Sequence, residues 1–358
     1  MRRLIFAVLA LVVTLLLGSW LVLRRQAQTL GEGLVRDANT LSARRFDLDS
    51  GTPGEILDCA GREADVSPDI SRTLPWTQPE VMAVTAGTSP LSETFRTELA
   101  THRAWLQRTL ACGELQTVIA APGLGPFPDV LHGRRQSMPR LMEALTSLAP
   151  LAMRDALARD APAEALEMCS SVLTLTTSWL RMEGLEGMLP TLGASRAVLA
   201  ACADALESSS DEDTQRFRAR AAELRQLAPN YAEVMTLERT QLALRLFGAW
   251  LPAELDAQLP DAARVMTKTQ RASKFDRGVK ATLALRLYWR RFDAGMRDVE
   301  LACSLPLAQR EGAILAAQAR LDAPFLRRFF TSDPVDLRYQ MYAVYLDQLH
   351  ERLERLSQ

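Results

Sequence analysis

From Leu4 to Leu23 the chain runs without a single charge, interrupted only by the weakly polar Thr14, Gly18 and Ser19, and arginine pairs close it at both ends (Arg2-Arg3 and Arg24-Arg25). At about 1.5 Å of rise per residue, roughly 20 helical residues cover the ~30 Å hydrocarbon core of a bilayer. The pattern therefore predicts a transmembrane helix over residues 4–23, preceded by a short cytoplasmic flank, residues 1–3. A cleaved signal needs a shorter apolar run ending in small residues. Here the run ends in Trp20-Leu21-Val22-Leu23, the small pair Gly18-Ser19 lies inside it, and the first cysteine, Cys59, is far too distant for lipid attachment. The segment reads as an uncleaved signal-anchor with Trp20 at the interface. The flanking arginines are nearly balanced, and the orientation expected is N-terminus in the cytoplasm and body outside it, on the periplasmic side of a bacterial inner membrane.

Beyond the anchor the pattern changes. Residues 24–50 read as a polar, partly helical juxtamembrane stalk. Residues 51–130 hold eight of the 18 prolines and read as an irregular Pro/Gly-rich region with one helix. In that helix Ser92 is placed to cap, Phe95, Leu99, His102, Leu106 and Leu110 recur at three- and four-residue spacing, and Gly113 stands where a left-handed stop is expected. From residue 131 to 358 helix follows helix. Ser137 and Pro139 mark a start, Pro150 is expected to kink or end that helix, and Asp160 with Pro162 to open the next. Pro190 is expected to separate AEALEMCSSVLTLTTSWLRM from its antiparallel neighbour TLGASRAVLAACADALE. SSSDED (208–213) supplies a loop and an acidic helix start, and a further helix follows from Asn230 to Trp250. Near the C-terminus Asp333 and Pro334 open a helix whose Tyr342, Leu346, Leu349, Leu353 and Leu356 form a narrow seam, expected to pack within the same domain rather than as a dimer coiled coil. RDAPAEALEMC (159–169) resembles the start of a tetratricopeptide helix over about a dozen residues, but no repeat of that period recurs, so no binding residues are transferred from it.

Together these features give a mainly α chain: one single-pass helix, then an all-α domain of antiparallel helical hairpins with a Pro-rich irregular N-terminal part. Composition supports this, because aromatics are only 6% and β-branched runs are scarce after the anchor. Charge narrows the partners. Setting aside Arg2, Arg3, Arg24 and Arg25 leaves 38 basic against 43 acidic groups, a net charge of −5. A mildly acidic body does not attract nucleic acid.

Candidate chemistry is sparse. The five cysteines (59, 112, 169, 202 and 303) contain no CxxC pair. Cys169 and Cys202 fall in apolar helical patterns and read as small core residues. Cys59 and Cys112 lie at helix edges and are the candidate disulfide in an oxidising compartment. Three histidines (102, 132 and 350) have no metal spacing, His102 reads as a core histidine, and a site joining Cys59, His102, Cys112 and His132 matches no zinc pattern. GASRA around Ser195 has part of a nucleophile elbow, but Ala197 replaces the last glycine. GLGPFP (123–128) has two phosphate-loop glycines with prolines that block the helix start. Glu164 with Glu167, and Glu183 with Glu186, have the spacing of a carboxylate pair, which is common on solvated surfaces. The segment 263–280 gathers all three lysines: Arg264, Lys268, Arg271, Lys274, Arg277 and Lys280 against Asp276 alone. It is a broad basic strip suited to an anion or lipid headgroups.

No residue earns a catalytic, cofactor or metal assignment, and no cofactor is expected. The function expected is a non-enzymatic scaffold or partner-binding protein of the bacterial cell envelope, anchored in the bilayer through residues 4–23. Two alternatives stand beside it: a tethered envelope hydrolase using a helix-borne Glu, and a cytoplasm-facing protein docking on anionic lipid through residues 263–280.

Overall fold

The computed structural model describes residues 2–43, 53–70, 74, 78–114, 137–182, 185–247, 251, 253–259, 289–321 and 338–358. They form thirteen helices and no strand. In chain order these are α1 (Arg2–Ala43), α2 (Pro53–Asp65), α3 (Pro79–Thr85), α4 (Glu93–Glu114), α5 (Ser137–Ala158), α6 (Pro162–Met182), α7 (Leu185–Ser208), α8 (Asp211–Leu227), α9 (Tyr231–Phe247), α10 (Ala253–Asp256), α11 (Arg290–Cys303), α12 (Leu307–Leu321) and α13 (Arg338–Ser357). The chain divides into two compact units, one comprising Met1–Ser42 with Thr236–Leu337, the other Ala43–Met235 with Arg338–Gln358.

In the first unit α1 has two halves. Phe6, Val8, Leu9, Leu11, Leu15, Leu16, Leu17, Leu21 and Val22 are exposed. The helix is long and apolar enough to cross a membrane. Residues 24–43, expected as the start of a stalk, continue the same helix without a break. From Ala27 onward one stripe is buried: Ala27, Gly31, Leu34, Val35 and Ala38. Steps of four, three, one and three keep these positions on one face. Elsewhere in this unit α11 and α12 pack as a hairpin, with Phe292, Met296, Val299, Ile314 and Ala317 buried and the Trp289 ring 5.7 Å from that of Phe292.

The second unit is built around α6, which packs against α2, α4, α5, α7 and α8. Every residue from Ser171 to Leu180 is buried. A helix surrounded on all sides cannot keep an amphipathic pattern, and this one holds its hydroxyls by local bonding: Thr176 donates to the Val172 carbonyl at 2.9 Å and Ser178 to that of Thr174 at 2.7 Å. The seam of α13 is used within the unit. Leu346, Leu349, Leu353 and Leu356 are buried, the helix packs on α7 and α8, Arg225 of α8 pairs with Glu354 at 3.1 Å, and the Arg196 guanidinium lies 4.5 Å from the centre of the Tyr345 ring.

Several local expectations are corrected. Residues 51–130 hold three helices in their described part rather than one, because Pro53 and Pro79 stand at the first helical position, where a missing N–H costs nothing. Pro150 neither ends nor divides α5. Its neighbours Leu148, Ala149 and Leu151 are fully buried, and that packing outweighs the ~3 kcal/mol a mid-helix proline costs. Pro190 lies inside α7, which starts upstream at Leu185. Asp160 closes α5 instead of opening α6. It sits in the left-handed region at φ 59°, donating its N–H to the Leu157 carbonyl (3.1 Å), while Ala161 donates to Ala156 (2.9 Å). Gly113 is helical rather than a left-handed stop. A Cβ there would lie 2.3 Å from the Ser171 carbonyl oxygen, so the glycine is required by the close approach of α4 to α6.

Candidate functional site

Cysteines staple the second unit. Cys59 of α2 is bonded to Cys112 of α4, with Cα atoms 5.5 Å apart. Cys169 of α6 is bonded to Cys202 of α7, with Cα atoms 5.8 Å apart. The second pair was read from the sequence as separate core residues. Both are fully buried, so that reading of burial and the bond are compatible. What the sequence lacked was the facing of two helices that brings positions 33 residues apart together. Cys303 is buried and belongs to neither bridge. Around the first bridge, Trp105 donates its indole N–H to the Glu63 carbonyl (3.1 Å) and Arg108 pairs with the Glu63 carboxylate (3.2 Å), fixing α2 against α4 again.

Several acidic groups of this unit are engaged by arginine. Asp155 of α5, largely buried, faces Arg159 at 3.2 Å, Arg103 at 3.7 Å and Arg96 at 3.9 Å. Glu164, one of the candidate carboxylates, is exposed and pairs with Arg159 at 3.0 Å. That hydrogen bond, followed by the charges of Glu164 and Asp155, raises the Arg159 pKa against the opposing effect of its burial. Arg154 pairs with Asp204 and donates to the Thr85 carbonyl at 3.0 Å, tying α5 to α7 and to the end of α3.

In the first unit a second ionic node holds α1. Arg239 of α9, with only 8% of its side chain exposed, pairs with Asp293 of α11 and, at 3.4 Å, with Asp37 of α1. Arg297 shares Asp293 at 3.0 Å, and that bond is the main reason its pKa is raised. Asn39 of α1 donates to the Gln258 carbonyl at 3.1 Å. The two Arg239 pairs are invisible in sequence, since their partners lie 54 and 202 residues away.

The remaining candidates separate. His102 is half-buried, 3.9 Å from Glu98, and His350 Nε2 lies 3.1 Å from the Pro229 carbonyl. Ser195 is fully buried and donates to the Thr191 carbonyl at 3.0 Å, as a small helix-contact residue does. Glu167 is exposed and Glu186 falls in the first turn of α7. His132, Glu183, GLGPFP (123–128) and the basic strip with Arg264, Lys268, Arg271, Lys274, Arg277 and Lys280 lie outside the described residues. No group of three or more His, Cys, Asp or Glu is arranged for a metal among the described residues. Comparison with protein families, curated proteins and solved structures finds no match to the chain. Bridges and arginine–carboxylate pairs fix helices against each other, and Arg239 ties α1 to α9 and α11.

Proposed function

We propose that the chain is a membrane-anchored helical scaffold of the bacterial cell envelope, with residues 4–23 of α1 in the bilayer, the N-terminus in the cytoplasm and the body in the oxidising space outside, where it binds a protein partner. One observation carries the reading: a bare apolar helix leads into a body in which four of five cysteines form two interhelical bridges. Such bridges persist in oxidising compartments and are rare in the cytoplasm. The scaffold role is supported by the ion pairs, which turn charged side chains toward holding helices together, and by helical surfaces of the kind that present broad binding faces. The test is protease accessibility of the body in intact cells whose outer barrier has been opened, with a cytoplasmic protein as control. Digestion of the body while the control survives is the expected result. Protection of both reverses the topology and removes the basis for stable bridges.

A further inference from the structure

The position of the buried stripe on α1 fixes how far the body stands from the bilayer. Leu23 is the last residue of the uncharged run, and Ala27, only 3% exposed, is the first position buried by the protein. α1 is continuous through both. Four residues of helix are about 6 Å of rise. The headgroup region adds about 5–7 Å to each side of a ~30 Å hydrocarbon core. The level at which the protein first buries α1, Ala27, is therefore that of the headgroups, and any tilt of the helix brings it closer to the core. Gly31, Leu34, Val35 and Ala38 then carry the same packing outward, and the Asp37–Arg239–Asp293 node fixes the far end of the stripe. Exposed Arg24 and Arg25 lie in the short interval between Leu23 and Ala27, a position from which cationic side chains reach lipid phosphates.

We infer that the unit formed by Met1–Ser42 and Thr236–Leu337 is seated directly on the headgroup layer of its own membrane, its partner surface being anionic phospholipid, and that the chain has no stalk there. This rests on the reading of residues 4–23 as a membrane span, and holds whichever side the body occupies.

The full-length protein in nanodiscs of phosphatidylethanolamine and phosphatidylglycerol is irradiated with two photoactivatable lipids in parallel, one reactive at the end of its acyl chain and one at its headgroup, and the crosslinked peptides are mapped by mass spectrometry. The acyl-chain probe is expected to mark residues 4–23. If it does not, the anchor reading fails and this inference with it. With the anchor marked, headgroup crosslinks both in residues 24–36 and in residues 236–337 are the expected result. Headgroup crosslinks confined to α1 overturn the seating while leaving the anchor intact. A variant with two helical turns, about seven residues, inserted after Arg25 lifts the unit by about 10 Å. It should retain the α1 crosslinks and reduce those in 236–337 at least tenfold. Persistence of the latter at the original level would show that they do not arise from seating through α1.

Discussion

Reducing the two bridges is the perturbation that probes most of the second unit at once. They close loops of 53 and 33 residues, and the chain-entropy relation assigns each about 4 kcal/mol at 25 °C. The loops do not overlap in sequence, so in that model the contributions add to about 8 kcal/mol. A domain has only about 5–15 kcal/mol in total. Dithiothreitol should therefore move the urea midpoint of the helical signal by most of its range, or unfold the unit outright. Reduction leaves every sulfur in place, so the loss is not confounded by the cavities that Cys→Ala changes create at fully buried Cys112, Cys169 and Cys202. The order of reduction follows burial. Cys59 is partly exposed and its bridge should open in the native state, whereas the Cys169–Cys202 pair should react only as the unit unfolds. The assay is far-UV circular dichroism in urea, with and without reductant, combined with maleimide mass-tagging of the unfolded chain. One tag without reductant and five with it are expected. Five tags without reductant, or a midpoint indifferent to reductant, would refute both the bridging and the compartment argument built on it.

Seven further substitutions test the packing by urea titration. Gly113→Ala drives a Cβ to 2.3 Å from the Ser171 carbonyl and should cost about 1–3 kcal/mol, while Gly33→Ala, with nothing within 4 Å, should stabilise by about 0.5–1 kcal/mol. Asp160→Gly relieves the left-handed strain at φ 59° and should stabilise by about 1 kcal/mol. Arg239→Met leaves Asp293 with Arg297 as its pair and takes the pair from Asp37, and should cost on the order of 1–2 kcal/mol, with Asp37→Asn costing less because that carboxylate is 37% exposed. Thr109→Val and Ser147→Ala remove buried hydroxyls that have no hydrogen-bond partner and should be neutral or stabilising by about 1 kcal/mol.

Helices were legible in the sequence wherever a period of three to four residues ran unopposed, as in α4 and α13, and where a cap was local: Ser210 accepts from the Asp213 N–H at 3.2 Å, and Asn230 and Glu233 cap each other. Errors fell where tertiary packing overrode a local signal. Pro150, Asp160 and Gly113 each carry strong single-residue preferences, and each obeys a neighbour instead: a buried helix pair, a left-handed turn, and the approach of another helix. The candidate chemistry fared similarly. Glu164 and Glu167 had a spacing but no partner visible in the sequence, and the structure gives Glu164 an arginine five residues before it. The Asp37–Arg239–Asp293 node had no local signal at all, because only the tertiary fold joins it.

The reading of α1 shows why its two halves were unequally visible. Lipid demands apolarity on every face, which a hydropathy scan detects without knowing the helix phase. A protein neighbour demands it on one face only, and in residues 24–43 that face is diluted by Arg25, Glu32, Arg36 and Asp37 on the others, so the average is polar. Taken at helical phase, Ala27, Gly31, Leu34, Val35 and Ala38 form one buried stripe. The change from all-round to one-sided apolarity occurs inside an unbroken helix, between Leu23 and Ala27, with Arg24 and Arg25 in the gap. On the proposed anchor reading, lipid on one side of those arginines and protein on the other account for both patterns. The polar average of residues 24–43 thus belongs to a helix with one buried face.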